Sequence, residues 1–190
     1  MQEELAAPGG APAAEHLCRC ASLLQAFLRR QARHFQFDSF PLPTPHQGAL
    51  CVYTLHQEEG DGLSIRVNAI QGGMNSVVHN HGTWAIIIGI QGQELNRLYR
   101  RAANRHASPS ESESAEPLQA QGSVADTFTL VGERAVGPGQ ALIIEEDDFH
   151  SIHTRPNEPA LQLHVYGRNP DVISDRQVLD PATGRLAGLG

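Results

Sequence analysis

The chain begins with a helical pattern of apolar residues and continues with short strand-like runs. Within residues 14–34, apolar side chains recur at the spacing of one helix face, namely Leu17, Leu24, Phe27, Leu28 and Ala32. Prolines at 41, 43 and 45 then prevent the helix from continuing. After Gly48 the pattern changes to short apolar runs separated by glycine and acidic turns. This pattern predicts one N-terminal helix followed by an all-β region.

Short strands are expected throughout the β region. They cover residues 50–55, 63–70, 77–81, 84–90, 92–100, 127–131, 140–144, 150–153 and 161–167. Many short strands at this spacing are typical of a sandwich or barrel. Residues 102–123 lack apolar periodicity, so we expect a mobile surface insertion there. We therefore predict a leader and helix at 1–47, a barrel at 48–170, and a C-terminal segment at 171–190 that wraps the barrel.

Length, composition and charge narrow the classes of function. A chain of 190 residues fits one domain with a sizeable core. The net charge of −7 argues against nucleic acid or an anionic membrane as the main partner, because both attract basic surfaces. Three cysteines do not indicate a disulfide framework, and the N-terminus does not have the pattern of a secretory signal. Because no apolar run is long enough to span a membrane, we expect a cytoplasmic protein.

A pair of histidines, His79 and His81, carries the strongest chemical signal. Residues two apart in an extended segment point to the same side, so both imidazoles can reach one ion. Imidazole suits iron, zinc, copper and nickel better than calcium or magnesium. The pair lies between Gly73 and Gly92 at a spacing that resembles the first cupin motif, although Ala85 stands where many cupins have a glutamate ligand. The pattern favours a jelly-roll barrel that holds a metal.

A third ligand is expected from the segment that contains His150 and His153. These two residues differ in parity, so one strand cannot aim both of them inward. We favour His150 as the ligand and expect His153 at the surface or behind the ligands.

A polar stripe lies on the strand predicted at 161–167. Gln162, His164 and Tyr166 alternate with apolar residues and therefore share one face. Taken alone, such a stripe is equally consistent with a face exposed to solvent. Beside a metal-binding barrel, an inward orientation is favoured.

Three segments together resemble the thiol dioxygenases of the cupin superfamily. They read Val-His-Asn-His-Gly-Thr-Trp at 78–84, Asp-Phe-His at 148–150 and Glu-Pro-Ala-Leu-Gln-Leu-His-Val-Tyr at 158–166. That family includes cysteine, 3-mercaptopropionate and mercaptosuccinate dioxygenases. The resemblance implies a cupin jelly-roll β-barrel with an N-terminal helical segment, and one Fe(II) held by His79, His81 and His150. It also implies an enzyme that adds both atoms of O2 to the sulfur of a small thiol, which gives a sulfinic acid.

The resemblance also implies roles for the polar residues. Tyr166 and His164 are expected to be catalytic, with His164 orienting a Tyr166 hydroxyl that bonds the substrate or oxygen. Gln162, Trp84 and Arg66 are expected to bind the substrate. Gln162 replaces the serine of the family's Ser-x-His-x-Tyr relay, and a glutamine can still donate to the following histidine.

Two further departures from the family concern the substrate. Residues 82–92 contain no cysteine, so the Cys–Tyr crosslink of animal cysteine dioxygenases cannot form from that position. Leu55 stands where those enzymes have the arginine that binds the carboxylate of cysteine. A different cation is therefore expected to hold an anionic thiol such as 3-mercaptopropionate or mercaptosuccinate. Arg66 is suited to this by its planar guanidinium, and Arg168 and Arg176 are alternatives.

Two other functions remain open from the sequence. A three-histidine cupin can use Fe(II) to cleave carbon–carbon bonds, and a non-catalytic cupin can bind a metal or a small molecule. Three imidazoles also accept zinc, nickel or manganese, so the sequence does not fix the metal.

Overall fold

A computed structural model describes residues 14–44, 46–101, 128–174, 176–180 and 182–188. The predicted helix is confirmed as α1, Ala14–Arg30, and a short 3-10 helix follows at Ala32–His34. Arg29 and Arg30 occupy the last turn of α1, where cations stabilise the negative end of the helix dipole. The predicted insertion at 102–123 lies outside the described residues, as does most of the leader.

Ten strands follow in the rest of the described chain. They are β1 Leu50–Gln57, β2 Ser64–Ile70, β3 Ala85–Gln91, β4 Glu94–Arg101, β5 Phe128–Val136, β6 Ala141–Ile144, β7 Phe149–His153, β8 Ala160–Tyr166, β9 Gln177–Asp180 and β10 Arg185–Gly188. The all-β prediction is confirmed.

The predicted strand at 77–81 is wrong as a regular strand. This segment lies between β7 and β9 and is joined to each of them by isolated bridges only. His79 pairs with His150, and Leu179 donates its backbone N–H to the carbonyl of Val78 at 2.7 Å. Gly82 then turns the chain with a φ of +63°. The C-terminal segment therefore lies directly against the histidine segment.

The strands form two main sheets. A five-stranded sheet has the order β1-β2-β8-β3-β6, and a three-stranded sheet has the order β5-β4-β7. A separate hairpin joins β9 to β10. Strands distant in sequence, such as β2 and β8, are neighbours in space, as expected for a double-sheet jelly roll.

The five-stranded sheet separates an apolar layer from a polar interior. On the helix side, α1 contributes to one apolar cluster with alternate residues of β2, β3 and β8, which include Val67, Ile86, Ile88, Leu161, Leu163 and Val165. The opposite face of β8 carries Gln162, His164 and Tyr166, all buried. Because the apolar positions pack against the helix, the predicted inward orientation of the polar stripe is confirmed.

Replacing Gly89 by Ala is expected to destabilise the fold by about 1–3 kcal/mol through overpacking. A Cβ at Gly89 would collide with the backbone carbonyl of Gly137. Neither backbone can move easily, since Gly89 donates to the carbonyl of Gln140 at 3.0 Å and accepts from Gly139 at 2.9 Å. Urea unfolding measures the effect. The control is Gly132→Ala, because a Cβ there meets nothing within 4 Å. Equal stability of the two variants would contradict the steric argument.

Candidate metal centre

Three histidines converge inside the barrel. His79, His81 and His150 each offer a ring nitrogen, and these nitrogens lie within 4.8 Å of one another. His150 lies on β7, and the other two lie on the extended segment beside it. Reciprocal backbone hydrogen bonds of 2.9 and 2.8 Å join His79 to His150. This pairing holds the two histidine-bearing segments side by side.

Hydrogen bonds to Nδ1 orient two of the three rings. His150 Nδ1 lies 2.7 Å from the side-chain oxygen of Asn96, and His79 Nδ1 lies 3.0 Å from the carbonyl of Val77. An oxygen of this kind only accepts, so each Nδ1 carries the hydrogen and each Nε2 keeps a lone pair. His150 Nε2 lies 3.1 Å from His81 Nε2, a separation that two nitrogens bound to one ion at about 2.1 Å can adopt.

The protonation state of the cluster suits a metal. Burial lowers the pKa of His79, and it lowers the pKa of His81 and of His150 far below the usual value. The three imidazoles are therefore neutral at pH 7 and available as ligands. No carboxylate joins this group among the described residues. The donor set fits a transition metal such as iron, zinc, nickel or copper, and it does not fit calcium or magnesium.

Tyr166 and His164 lie beside the histidine cluster. The ring of Tyr166 stands perpendicular to that of His81, with the centroids 5.1 Å apart. Its hydroxyl is hydrogen-bonded to Nδ1 of His164 at 2.9 Å. Burial raises the pKa of Tyr166 to about 12 and lowers the pKa of His164 to about 3. Both side chains are therefore neutral at pH 7, and the phenol keeps its proton.

Gln162 lines the interior but makes no hydrogen bond to His164. Its amide nitrogen donates to the backbone carbonyl of Val136 at 3.2 Å. Its Oε1 is buried and has no partner in the described part of the chain, and the same holds for Oδ1 of Asn68 opposite it. The sequence allowed Gln162 to donate to His164. In the structure the Gln162 amide donates to the backbone of β5 instead.

Arg66 reaches the interior, but its charge is already paired. Its terminal nitrogens donate to both oxygens of Asp171, at 2.9 and 2.8 Å. Further donations go to Ser64 at 2.9 Å and to Asn169 at 2.7 Å. The guanidinium also lies over the Tyr166 ring, 5.9 Å from its centroid. Arg66 therefore ties the C-terminal segment to the barrel, and its role in substrate binding stays a prediction.

The two alternative arginines lie in different places. Arg168 pairs with Asp61 at 2.8 Å on the surface. Arg176 donates to the backbone carbonyl of Pro170 at 2.8 Å, and its Nε is buried with no partner in the described ranges. Its positive charge contributes to the lowered pKa of both His79 and His81. Among the three candidate cations, Arg176 is the one that lies near the cluster without a carboxylate hydrogen-bonded to it.

Trp84 and His153 lie apart from the cluster. Trp84 packs on the helix side of the sheet, where its indole fills the space next to Gly167. Its role in substrate binding stays a prediction, and its packing with the helix-side cluster does not support that role. His153 donates from Nδ1 to Asn75 at 2.6 Å and is hydrogen-bonded through Nε2 to Ser151 at 2.7 Å. The structure thus brings His150, and not His153, to the ligand group.

Several residues of this region were missed by the sequence reasoning. Asn96 bonds His150, Glu94 bonds Asn96, and Asp171 pairs with Arg66. The alternation of Glu94 and Asn96 about Leu95 was an available signal for two side chains on one face. Nothing in the sequence indicated that this face points inward.

Replacing Glu94 by Gln is expected to change how stability depends on pH. Burial raises the pKa of Glu94 from 4.5 to about 7, so the folded protein holds this proton more tightly than the unfolded chain. The resulting stabilisation is present below pH 4.5 and is lost as the pH rises through 7. Relative to Glu94→Gln, the wild type should lose about 3 kcal/mol between pH 4.5 and 8. Urea unfolding of both metal-free proteins measures this, and a constant difference would contradict it.

Comparison with known proteins adds fold neighbours only. Neither a scan against protein families nor a search of curated proteins finds a match. DMSP lyase DddQ from Ruegeria pomeroyi is a structural neighbour at 16% identity and a TM-score of 0.44, covering 74% of this chain and 57% of its own. An RmlC-like cupin from Ralstonia eutropha is 12% identical with a TM-score of 0.45, covering 81% of this chain and 77% of its own. The chain thus spans little more than half of that DMSP lyase.

The two sheets form a double-sheet jelly roll with an N-terminal helix. The identities above say nothing about activity, so any function of this protein must be argued from its own residues. None of the described helices is long and apolar enough to span a membrane.

Proposed function

We propose that this cupin is an iron-dependent thiol dioxygenase that converts a small carboxylated thiol and O2 into a sulfinic acid. The observation that carries the proposal is the combination of three neutral histidines with a buried Tyr166–His164 pair beside them. The reaction is balanced without a co-reactant, because R–SH and O2 together contain every atom of R–SO2H.

The absence of a carboxylate from the ligand group favours a thiol substrate. Three neutral imidazoles leave the charge of a divalent ion uncompensated. Such a site attracts an anion and lowers the pKa of a thiol that approaches it. When bound, a ferrous ion supplies the redox chemistry that joins dioxygen to the sulfur. The protein's own contribution is to hold the reactants together in a fixed orientation.

Tyr166 is suited to act as a neutral hydrogen-bond donor at this site. Its raised pKa keeps the phenol protonated, and with His164 donating from Nδ1 to the phenol oxygen the hydroxyl hydrogen is left for the substrate. A donor held in place in a buried site stabilises negative charge that develops on a reacting oxygen or sulfur. His164 is neutral as well, so the Tyr166–His164 pair does not add positive charge to the site.

Arg176 is the best candidate for binding the substrate carboxylate. Arg66 donates to Asp171, Asn169 and Ser64, so an incoming carboxylate would have to displace an existing ion pair. Arg176 has a buried nitrogen free of partners within the described ranges, and its charge acts on the histidine cluster. A guanidinium can bind a carboxylate through two parallel hydrogen bonds. This placement supports a carboxylated thiol as the substrate.

Oxygen consumption by the Fe(II)-loaded protein tests the proposed function. The panel contains 3-mercaptopropionate, mercaptosuccinate, L-cysteine and uncharged 2-mercaptoethanol, with sulfinate identified by mass spectrometry. We expect the lowest KM with the first two thiols and a higher KM with uncharged 2-mercaptoethanol. We expect no uptake with zinc-loaded protein, since zinc has no redox chemistry. A lack of uptake with every thiol would refute the proposal. Cleavage of a β-diketone in place of thiol oxidation would assign the site to carbon–carbon cleavage.

A further inference from the structure

We propose that Glu94 is a positioning residue for the metal ligand His150 and that it acts through Asn96. The three side chains form a buried chain of carboxyl, amide and imidazole. This inference rests on the metal site of the proposed function but not on thiol oxidation, so metal binding alone can test it.

The chain of hydrogen bonds is short and fully enclosed. Asn96 donates from Nδ2 to Oε1 of Glu94 at 2.7 Å, and its Oδ1 accepts from Nδ1 of His150 at 2.7 Å. All three residues have an exposed fraction of 0%. Glu94 and Asn96 lie two apart on β4, and β4 pairs with β7, which carries His150. Water therefore does not compete for these bonds from outside.

The carboxyl of Glu94 fixes which way the amide of Asn96 points. An asparagine side chain has a donating end and an accepting end, and a half-turn exchanges them. Glu94 accepts from the donating end, which leaves the oxygen facing His150. A reversed amide would present N–H groups to His150 Nδ1 and would favour the tautomer protonated on Nε2. That tautomer cannot bind a metal through the nitrogen that faces the cluster.

The other two histidines do not depend on a side chain in this way. His79 donates to a backbone carbonyl, which cannot reverse, and His81 Nδ1 has no partner among the residues described. His150 is thus the ligand whose tautomer is decided by a reversible group. Outer partners of metal-binding histidines fix the tautomer and the ring orientation in this manner.

The hydrogen bond of Glu94 goes to the same amide that bonds His150. Oε2 of Glu94 is buried with no partner in the described part of the chain, and its Oε1 accepts from Asn96. A buried carboxyl with a single partner is costly, and a leucine of similar size would fill the space more cheaply. The hydrogen bond to Asn96 is the contact through which Glu94 reaches His150.

Zinc affinity of the full chain tests the positioning role. We expect Glu94→Leu to weaken Zn(II) binding by about 10- to 100-fold, as measured by competition with a chromophoric chelator. Glu94→Gln keeps an oxygen that can accept from Asn96 and should remain within about threefold of the wild type. Glu133→Gln, on the exposed side of neighbouring β5, is the matched control and should not change affinity.

A double variant separates positioning from a general loss of structure. An aspartate at position 96 has two equivalent acceptors and needs no partner to orient it. Adding Asn96→Asp to Glu94→Leu should therefore restore zinc affinity to within about threefold of the wild type. Wild-type affinity in Glu94→Leu, or equal weakening with and without Asn96→Asp, would overturn the proposal.

The tautomer of His150 gives an independent readout if Glu94→Leu does not fold. Long-range nitrogen NMR of histidine-labelled, metal-free protein, in which no ion fixes the tautomer, should show the hydrogen of His150 on Nδ1 in the wild type and in Glu94→Gln. A wild-type His150 protonated on Nε2 would overturn the proposal directly.

Discussion

Replacing His150 by Ala is expected to weaken metal binding by more than about 100-fold and to abolish thiol oxidation. Loss of an outer partner of a ligand costs about 10- to 100-fold, and loss of the ligand itself should exceed that. His150 Nε2 faces His81 Nε2 at 3.1 Å, so its removal leaves two nitrogens to hold the ion. Metal content after dialysis, together with zinc affinity by chelator competition, measures the effect.

His153→Ala is the matched control on the same strand. Its ring is hydrogen-bonded to Asn75 and Ser151 and does not join the ligand group. We expect this variant to retain full metal content and activity. Metal loss in His153→Ala combined with retention in His150→Ala would show that the ligand set is wrong. If the circular dichroism spectrum shows that His150→Ala does not fold, His150→Gln takes its place in the comparison, because glutamine fills a similar volume.

Replacing Arg176 by Gln is expected to raise the KM for 3-mercaptopropionate by about 10- to 100-fold. A hydrogen bond to a charged group contributes about 1.5–3 kcal/mol, and each 1.4 kcal/mol is tenfold in affinity. Oxidation of uncharged 2-mercaptoethanol should be unaffected, because it has no carboxylate to bind. Steady-state oxygen consumption gives the KM for each thiol, and the ratio of the two KM values should rise in Arg176→Gln.

Arg168→Gln is the control for Arg176→Gln, since Arg168 pairs with Asp61 at the surface. Arg66→Gln should behave differently from both, because it leaves Asp171 and Asn169 without their buried partner. We expect that variant to lose stability. A KM increase in Arg66→Gln at unchanged stability, with Arg176→Gln unaffected, would return carboxylate binding to Arg66.

The sequence predicted the positions of the helix and of most strands, and it predicted which side chains share a face. The reason is that both properties follow from local periods. A period of two places His79 and His81 together, and the same rule separates His150 from His153. The strand predicted at 77–81 failed for a related reason: local pattern shows that a segment is extended, but not whether one neighbour pairs along its whole length.

The partners of charged and polar side chains were decided only by the tertiary structure. Arg66 meets Asp171 across 105 positions of sequence, and His150 meets Asn96 across 54. The sequence by itself indicated three candidate metal-ligating histidines and placed Tyr166 and His164 on one face, since alternation along strands is enough for that. Only the packing of the sheet against the helix decided that this face points inward. The sequence left open which arginine has no carboxylate partner in the described part of the chain and which amide orients His150. Those depend on how separate strands stack across the barrel, where no local period operates.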